Sequence, residues 1–175
     1  MTTPLRRANA ADFAHIAALE RRCFGQSDGV FTTRQLRALL ANPNAYWLVG
    51  ADGRAMACWL SARNRHARWA RLYSLAVDPV LRGQGWGGLL LTAGEDWMRE
   101  QGLMVCRAEV KADNHAARRL YASQGYREAG ALPDYYGVGV DGVRLLKQLE
   151  VERPVSAQRR QGSGDTPKEP LNNSM

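Results

Sequence analysis

Four glycines fall within the seven residues Arg82-Gly83-Gln84-Gly85-Trp86-Gly87-Gly88, at the junction between an apolar run that reads as a strand and an amphipathic run that reads as a helix. Glycines at such a junction let the backbone come close to an anion, and the amides at the helix start, reinforced by the helix dipole, favour phosphate. A diphosphate is the natural ligand; a glycine-rich turn that binds nothing is the competing reading. Either way, the end of a strand must meet the start of a helix in mid-sequence, which points to a mixed α/β architecture.

The periodicities around this junction agree. Residues 10–24 place Phe13, Ile16, Ala17, Leu19 and Cys23 at helical spacing, with Asp12 near the start where its charge suits the dipole. Residues 32–40 predict a second helix, capped by Thr32 or Thr33 and stopped at Asn42-Pro43. Residues 46–51 and 54–62 read as strands joined at Asp52-Gly53, a two-residue hairpin signal. A strand over 69–77 ends at Asp78-Pro79. After the glycines, 87–101 reads as a helix with Leu90, Ala93, Trp97 and Met98 inward and Gly102 closing it, followed by a strand over 103–110. Residues 114–124 form a helix capped by Asn114 and ended by Gly125, with a strand from Tyr126 and a last one over 143–149. The expected core is a mixed twisted sheet with helices on both faces. Residues 1–150 then make one domain, and 151–175, poor in large apolar residues and rich in Pro, Gly, Ser, Gln and charge, read as a disordered tail.

Three ligand classes compete for the glycines. Without a Gly-Lys-Ser/Thr ending, the loop is not a P-loop. Gly83, Gly85 and Gly88 do match G-x-G-x-x-G, and Glu109 follows about 20 residues later, where a dinucleotide fold places its ribose-binding acid. The context disagrees, because Asp78-Pro79-Val80-Leu81-Arg82 separates the strand from the first glycine and too little chain follows for that fold's further strands. A nucleotide-binding oxidoreductase module therefore stands as an alternative. The third class is acyl-CoA.

Arg82-x-x-Gly85-x-Gly87 after Val77-Asp78-Pro79 resembles the pyrophosphate loop of the GNAT acetyltransferase superfamily. Asn114-x-x-Ala117-x-x-Leu120-Tyr121-x-x-x-Gly125-Tyr126 is similar to that superfamily's second cofactor motif, at its usual separation from the first. With Glu109-Val110-Lys111 and Asp134-Tyr135-Tyr136, these blocks resemble the bacterial branch that acetylates the N-terminal alanine of a ribosomal protein. The likeness runs from about Leu72 to Leu149 and implies a mixed, mostly antiparallel twisted sheet of six to seven strands with helices on both faces. It implies acetyl-CoA as co-substrate, no metal, and transfer of an acetyl group to a primary amine, a protein N-terminal α-amine first among them. A small-molecule amine, a lysine side chain, or a non-catalytic CoA-binding protein are the other outcomes.

The same resemblance distributes roles. Leu75, Ala76 and Val77 would pair their backbone groups with the pantetheine amides, as an added peptide strand would. Gly83, Gln84, Gly85, Trp86, Gly87 and Gly88 would hold the diphosphate through their amides, with the Arg82 side chain beside them. Asn114, Ala117 and Tyr121 share one helix face at i, i+3 and i+7. Asn114 would bind the cofactor and Tyr121 would protonate the departing thiolate; a core aromatic with a satisfied hydroxyl is the plainer reading of Tyr121. Glu109 matches the general base, acting through water, and a salt bridge to Arg107 or Lys111 is its plainer reading. An α-amine titrates near ~8 and a lysine near ~10.4, so the former asks less of a carboxylate base. Tyr135 and Tyr136 fall on the acceptor side, ahead of the glycine-rich residues 137–142. In the N-terminal half, Gly25-Gln26-Ser27-Asp28 replaces the Pro-Trp-Ser pattern common in the ribosomal enzymes, so the ribosomal substrate is not assigned.

The net charge of +7 invites a nucleic-acid reading, but the arginines are scattered, which argues against it. The one cluster, Arg63, Arg65, His66, Arg68 and Arg71, reads as a solvated loop, or more weakly as a guide for an acidic substrate or a cofactor phosphate. Cys23, Cys58 and Cys106 show no paired spacing, and His15, His66 and His115 are dispersed, so neither a disulfide framework nor a metal site is expected. Cys106 lacks a His or Asp partner in sequence, which favours direct transfer in a ternary complex over an acyl-enzyme. No signal or membrane-spanning run is evident, and a cytoplasmic monomer or homodimer is the expectation.

Overall fold

The computed structural model describes residues 5–25, 30–62 and 68–150. Residues 26–28, the loop arginines Arg63 and Arg65, His66 and the tail 151–175 lie outside them. The described chain runs β1 (Arg6–Arg7), α1 (Phe13–Cys23), α2 (Thr33–Ala41), β2 (Ala45–Gly50), β3 (Ala55–Ser61), β4 (Trp69–Val77), α3 (Trp86–Glu100), β5 (Val105–Lys111), α4 (His115–Ser123), β6 (Arg127–Leu132) and β7 (Gly142–Gln148). The strands form one seven-stranded sheet in the order β1-β2-β3-β4-β5-β7-β6, and every neighbouring pair is antiparallel except β4 and β5. A single parallel pair is incompatible with the all-parallel dinucleotide sheet, so the partial G-x-G-x-x-G match does not carry that fold.

The predicted helices and the long strands lie where the periodicity places them, within a residue or two at the ends, except that residues 10–12 form a 3-10 turn and α1 begins at Phe13. Two details differ. The two-residue Arg6–Arg7 strand extends the sheet at the β2 edge, where no hydrophobic alternation could announce it. The link between β2 and β3 is not a two-residue hairpin turn: Ala51, Asp52 and Gly53 all take positive φ in a 3-10 turn. Asp52-Gly53 supplied the turn residues, and Ala51 joins them in the left-handed region despite its Cβ.

Alternation along the strands divides the core in two. Ala57 and Trp59 of β3, Ala70 and Leu72 of β4, and Cys106, Ala108 and Val110 of β5 face α3 and α4, packing with Leu90, Leu91, Met98 and Tyr121. Met56, Cys58 and Ala76 face the other way, onto Ile16 and Leu19 of α1 and Leu36 of α2. The register of β3 against β4 slips between Cys58, opposite Ser74, and Trp59, opposite Leu72, leaving Tyr73 as the extra residue of a bulge. A bulge bends and over-twists its strand. Accordingly β4 pairs with β5 at only Trp69, Ala70 and Arg71. Beyond Arg71 the two strands run on without pairing, to Val77 and Lys111, and a gap opens in the middle of the sheet.

One carboxyl is buried against this bulged strand. Glu20 of α1 lies on the apolar stripe with Ile16 and Leu19 and accepts a hydrogen bond from the Ser74 hydroxyl. Burial raises its carboxyl above the ordinary 4.5, and the Ser74 bond offsets this in part. A folded carboxyl that holds its proton more tightly than the unfolded one makes stability fall as pH rises from about 4.5 through the folded value. Glu20→Gln keeps an acceptor for Ser74 without a charge to bury. Its melting temperature is expected at or above wild type at pH 7, with the two proteins converging near pH 4; parallel thermal melts across that range check it.

The packing of α3 gives a second expectation. A Cβ on Gly94 would lie 2.1 Å from Cζ2 of Trp59, a fully buried ring with no room to retreat. Gly94→Ala should therefore lower stability by about 1–3 kcal/mol despite alanine's better helix propensity, read as a shifted urea midpoint at unchanged slope.

Candidate active site

The gap between β4 and β5 is a line of backbone groups that the sheet itself leaves unpaired. In an antiparallel ladder, alternate residues turn both polar groups to the same neighbour. Asp78 donates its amide to the Arg54 carbonyl at 2.8 Å, which fixes the alternation: Ala76 turns to β3, while Leu75 and Val77 turn to the gap. Of the three residues expected to offer backbone groups, Ala76 instead contributes a buried side chain to the α1 face. The Val77 carbonyl is approached by Cys23 Sγ and Arg82 Nε, each at 3.3 Å.

At the far end of β4 the chain enters the glycine loop through Asp78. Its carboxylate accepts from the Val80 amide at 3.1 Å and pairs with Arg22, and these bonds, the backbone one foremost, hold it below its ordinary value. The glycines then divide their work. Gly83 and Gly85 sit at φ +76° and +84°, which only glycine takes without strain, and a Cβ on either would meet nothing. Gly87 and Gly88 are needed for contact, since a Cβ there would come 2.8 Å from Leu120 and 3.1 Å from Gln124 of the α4 segment. The amides of residues 83–88 hydrogen-bond no described residue. Trp86 buries its ring, Gln84 bonds the Val80 carbonyl at 3.2 Å, and so the loop presents backbone rather than side chains. Unpaired amides, two positive-φ glycines and a helix N-terminus together fit a diphosphate.

On α4, the Asn114 side chain accepts from the Ala117 amide at 3.1 Å as the helix cap, which leaves its amide nitrogen for a ligand. Tyr121 is buried, edge-on to Tyr126 with ring centroids 5.3 Å apart. Burial pushes its hydroxyl up, with Cys106 and Tyr136 as lesser contributors, so it carries its proton at neutral pH. Cys106 is fully buried and its thiol is pushed up to about 12, mainly by burial, which leaves no thiolate for an acyl-enzyme.

Glu109 belongs to the opposite face of β5. There it meets three guanidiniums. Arg71 Nε donates to Oε2 at 2.7 Å and Arg144 Nε donates to Oε1 at 3.4 Å. Arg107 Nε lies 3.0 Å from Oε1, too poorly directed to count as a hydrogen bond, and no other group takes up that nitrogen. The Glu109 side chain is 1% exposed, covered by these arginines rather than by a helix. Arg71 also donates from Nη2 to the Tyr135 hydroxyl at 2.7 Å, tying the β6–β7 loop to β4. That loop is ordered despite its glycines: Asp134 accepts from the Gly139 amide at 2.5 Å, and Asp141 accepts from the Asp134 amide at 2.9 Å. Tyr135 and Tyr136 stand edge to face at 5.1 Å.

The salt-bridge reading of Glu109 with Arg107 is therefore realised, and Arg71 and Arg144 join it. Arg71 is no part of a solvated loop but a strand residue, and Arg144 escaped notice because its partner lies on another strand. The register Glu109↔Arg144 is a pairing no local pattern reveals. The sheet thus separates Tyr121 on one face from Glu109 on the other, with the unpaired stretch of β4 and β5 in the same part of the sheet.

Comparison with known proteins bears on this geometry. The sequence pattern of the Acetyltransferase (GNAT) family matches residues 13–126. An N-acetyltransferase of Methanocaldococcus jannaschii is 29% identical over 149 residues, covering 82% of this chain and 90% of that one. The ribosomal protein bS18-alanine N-acetyltransferase of Escherichia coli is 40% identical over 67 residues, which are 38% of this chain and 45% of that one. The crystal structure of the Escherichia coli ribosomal-protein-S18-alanine N-acetyltransferase superposes with a TM-score of 0.74 at 21% identity, covering 90% of this chain and 99% of the other.

Proposed function

The chain belongs to the acetyltransferase (GNAT) family and is an N-acyltransferase, and we propose that it acetylates a primary α-amine, foremost the N-terminus of a protein, by direct transfer in a ternary complex. Acetyl-CoA, the family's co-substrate, supplies a thioester and a leaving thiolate. The backbone of Leu75 and Val77 would align its arm in the gap, and the amides of residues 83–88 would hold its diphosphate, with Arg82 and the free amide nitrogen of Asn114 alongside. Tyr121, buried on the helical side of the sheet, would serve as the proton donor. A hydroxyl raised above the usual ~10 gives its proton to a thiolate of about 8.5 only uphill, so Tyr121 acts first by hydrogen-bonding the developing charge.

The observation that carries the choice of amine is the crowding of Glu109. With three guanidiniums around its oxygens, this carboxylate would reach the amine through water rather than by direct contact. Such a site suits an amine near ~8 better than a lysine near ~10.4. The 67-residue likeness to an enzyme named for N-acetylating an alanine of ribosomal protein bS18 supports the same choice. A small-molecule α-amine satisfies the same physical argument and is the second reading.

A CoA-release assay across peptide N-termini, lysine peptides, polyamines and aminoglycosides tests the proposal; turnover confined to lysine peptides overturns the α-amine. Tyr121→Phe is expected to lower kcat by about 10²-fold or more, and Glu109→Gln to lower it as well, with acetyl-CoA affinity held in both. Wild-type rates in both variants would remove the catalytic roles given to these residues.

A further inference from the structure

The arginines around Glu109 outnumber what one carboxylate neutralises. Arg71, Arg107 and Arg144 are 28%, 29% and 36% exposed at their side chains and converge on a single buried negative charge, a net excess of two positive charges. Each approaches Glu109 through Nε, the side edge of the guanidinium. Arg71 gives Nη2 to Tyr135, whereas the terminal nitrogens of Arg107 and Arg144 hydrogen-bond no described residue. Two of the three are also braced by rings: Arg107 lies over Trp69 at 4.7 Å from its centroid and Arg71 over Tyr73 at 4.8 Å. Braced guanidiniums with exposed terminal edges are a receptor for a planar anion.

Phosphates of the co-substrate do not answer this charge. Arg71 stands six residues before Val77 on β4, roughly 20 Å from the glycine loop along an extended strand. The arginines share the Glu109 face of the sheet, opposite the one covered by α3 and α4. Tyr135 of the β6–β7 loop borders them.

We propose that the acceptor is an anionic amine, carrying a carboxylate close to its amino group, and that the terminal edges of Arg107 and Arg144 receive that carboxylate while Glu109 holds the guanidiniums in register. This rests on the gap being the acetyl-transfer site. A free amino acid and the N-terminus of an acidic peptide share this chemistry. The same excess charge disfavours the ammonium form of the acceptor, so the positive surroundings assist its deprotonation.

Matched acceptors decide it. CoA release is measured for a peptide beginning Ala-Glu against one beginning Ala-Lys, and for free alanine against alaninamide, the second pair separating the amino acid from the peptide source. The acidic member of at least one pair is expected to have a kcat/KM about tenfold higher, the worth of one charge-assisted hydrogen bond, with the advantage shrinking as salt is added. In Arg107→Gln and Arg144→Gln the advantage is expected to collapse through KM rather than kcat. Turnover that is indifferent to acceptor charge, or better with the basic member, overturns the anionic acceptor and leaves the acetyltransferase reading standing. If no acceptor releases CoA, that reading fails instead, and calorimetric titration of the Ala-Glu peptide into CoA-saturated protein decides the anion site. Binding that Arg144→Gln abolishes supports it; affinity equal to that of the Ala-Lys peptide overturns it.

Discussion

Two parallel strands that stop pairing halfway are the constraint from which the rest of this molecule follows. A backbone amide or carbonyl left without a partner away from water costs on the order of 1–3 kcal/mol, and the outer halves of β4 and β5 do not satisfy one another's groups. The bulge at Tyr73 bends β4 away while its other edge stays paired to β3 on either side of the bulge. A ligand with its own amides, lying as a strand would, could supply what the sheet withholds. The unpaired segment runs from the neighbourhood of Glu109 to the glycine loop, so one defect in the ladder sets the length and direction of the site.

Electrostatics then differentiate the two sides of that gap. On the helical side, Tyr121, Tyr126 and Cys106 are neutral groups kept neutral by burial. On the other side, charge is abundant and partly exposed, with Glu109 enclosed by arginines. In the proposed reaction, a developing negative charge on sulfur would meet a hydrogen-bond donor in a dry environment, where such a bond is strongest. An incoming amine would meet positive charge, which favours its reactive neutral form.

What the sequence disclosed and what it hid divide along the same physical line. The glycine loop, the cap at Asn114 and the helix face of Ala117 and Tyr121 were legible because each is a local pattern, fixed by spacing within a dozen residues. The role of Gly87 was not, since its reason is Leu120, a neighbour only after folding. Arg107 was legible as a partner of Glu109, but the rest of its company was not. Arg71 and Arg144 reach it from two other strands, and only the registers Arg71↔Arg107 and Glu109↔Arg144 bring them together. The bulge at Tyr73 was equally silent, because nothing in Leu72-Tyr73-Ser74 departs from an ordinary strand until β3 is laid beside it.

The contact between Gly87 and Leu120 carries a consequence for how such a chain can change over time. Because no side chain separates the start of α3 from α4, the loop that would grip the donor packs directly on the helix that bears Tyr121. The arginines and Tyr135 stand on the Glu109 face of the sheet, while Tyr136 of the same loop lies close enough to Tyr121 to raise its hydroxyl. Substitutions among the arginines would bear on the proposed acceptor while leaving the Gly87–Leu120 contact untouched. The sheet is then a partition between the side proposed to hold the donor and the side proposed to read the acceptor, with Tyr136 reaching across it.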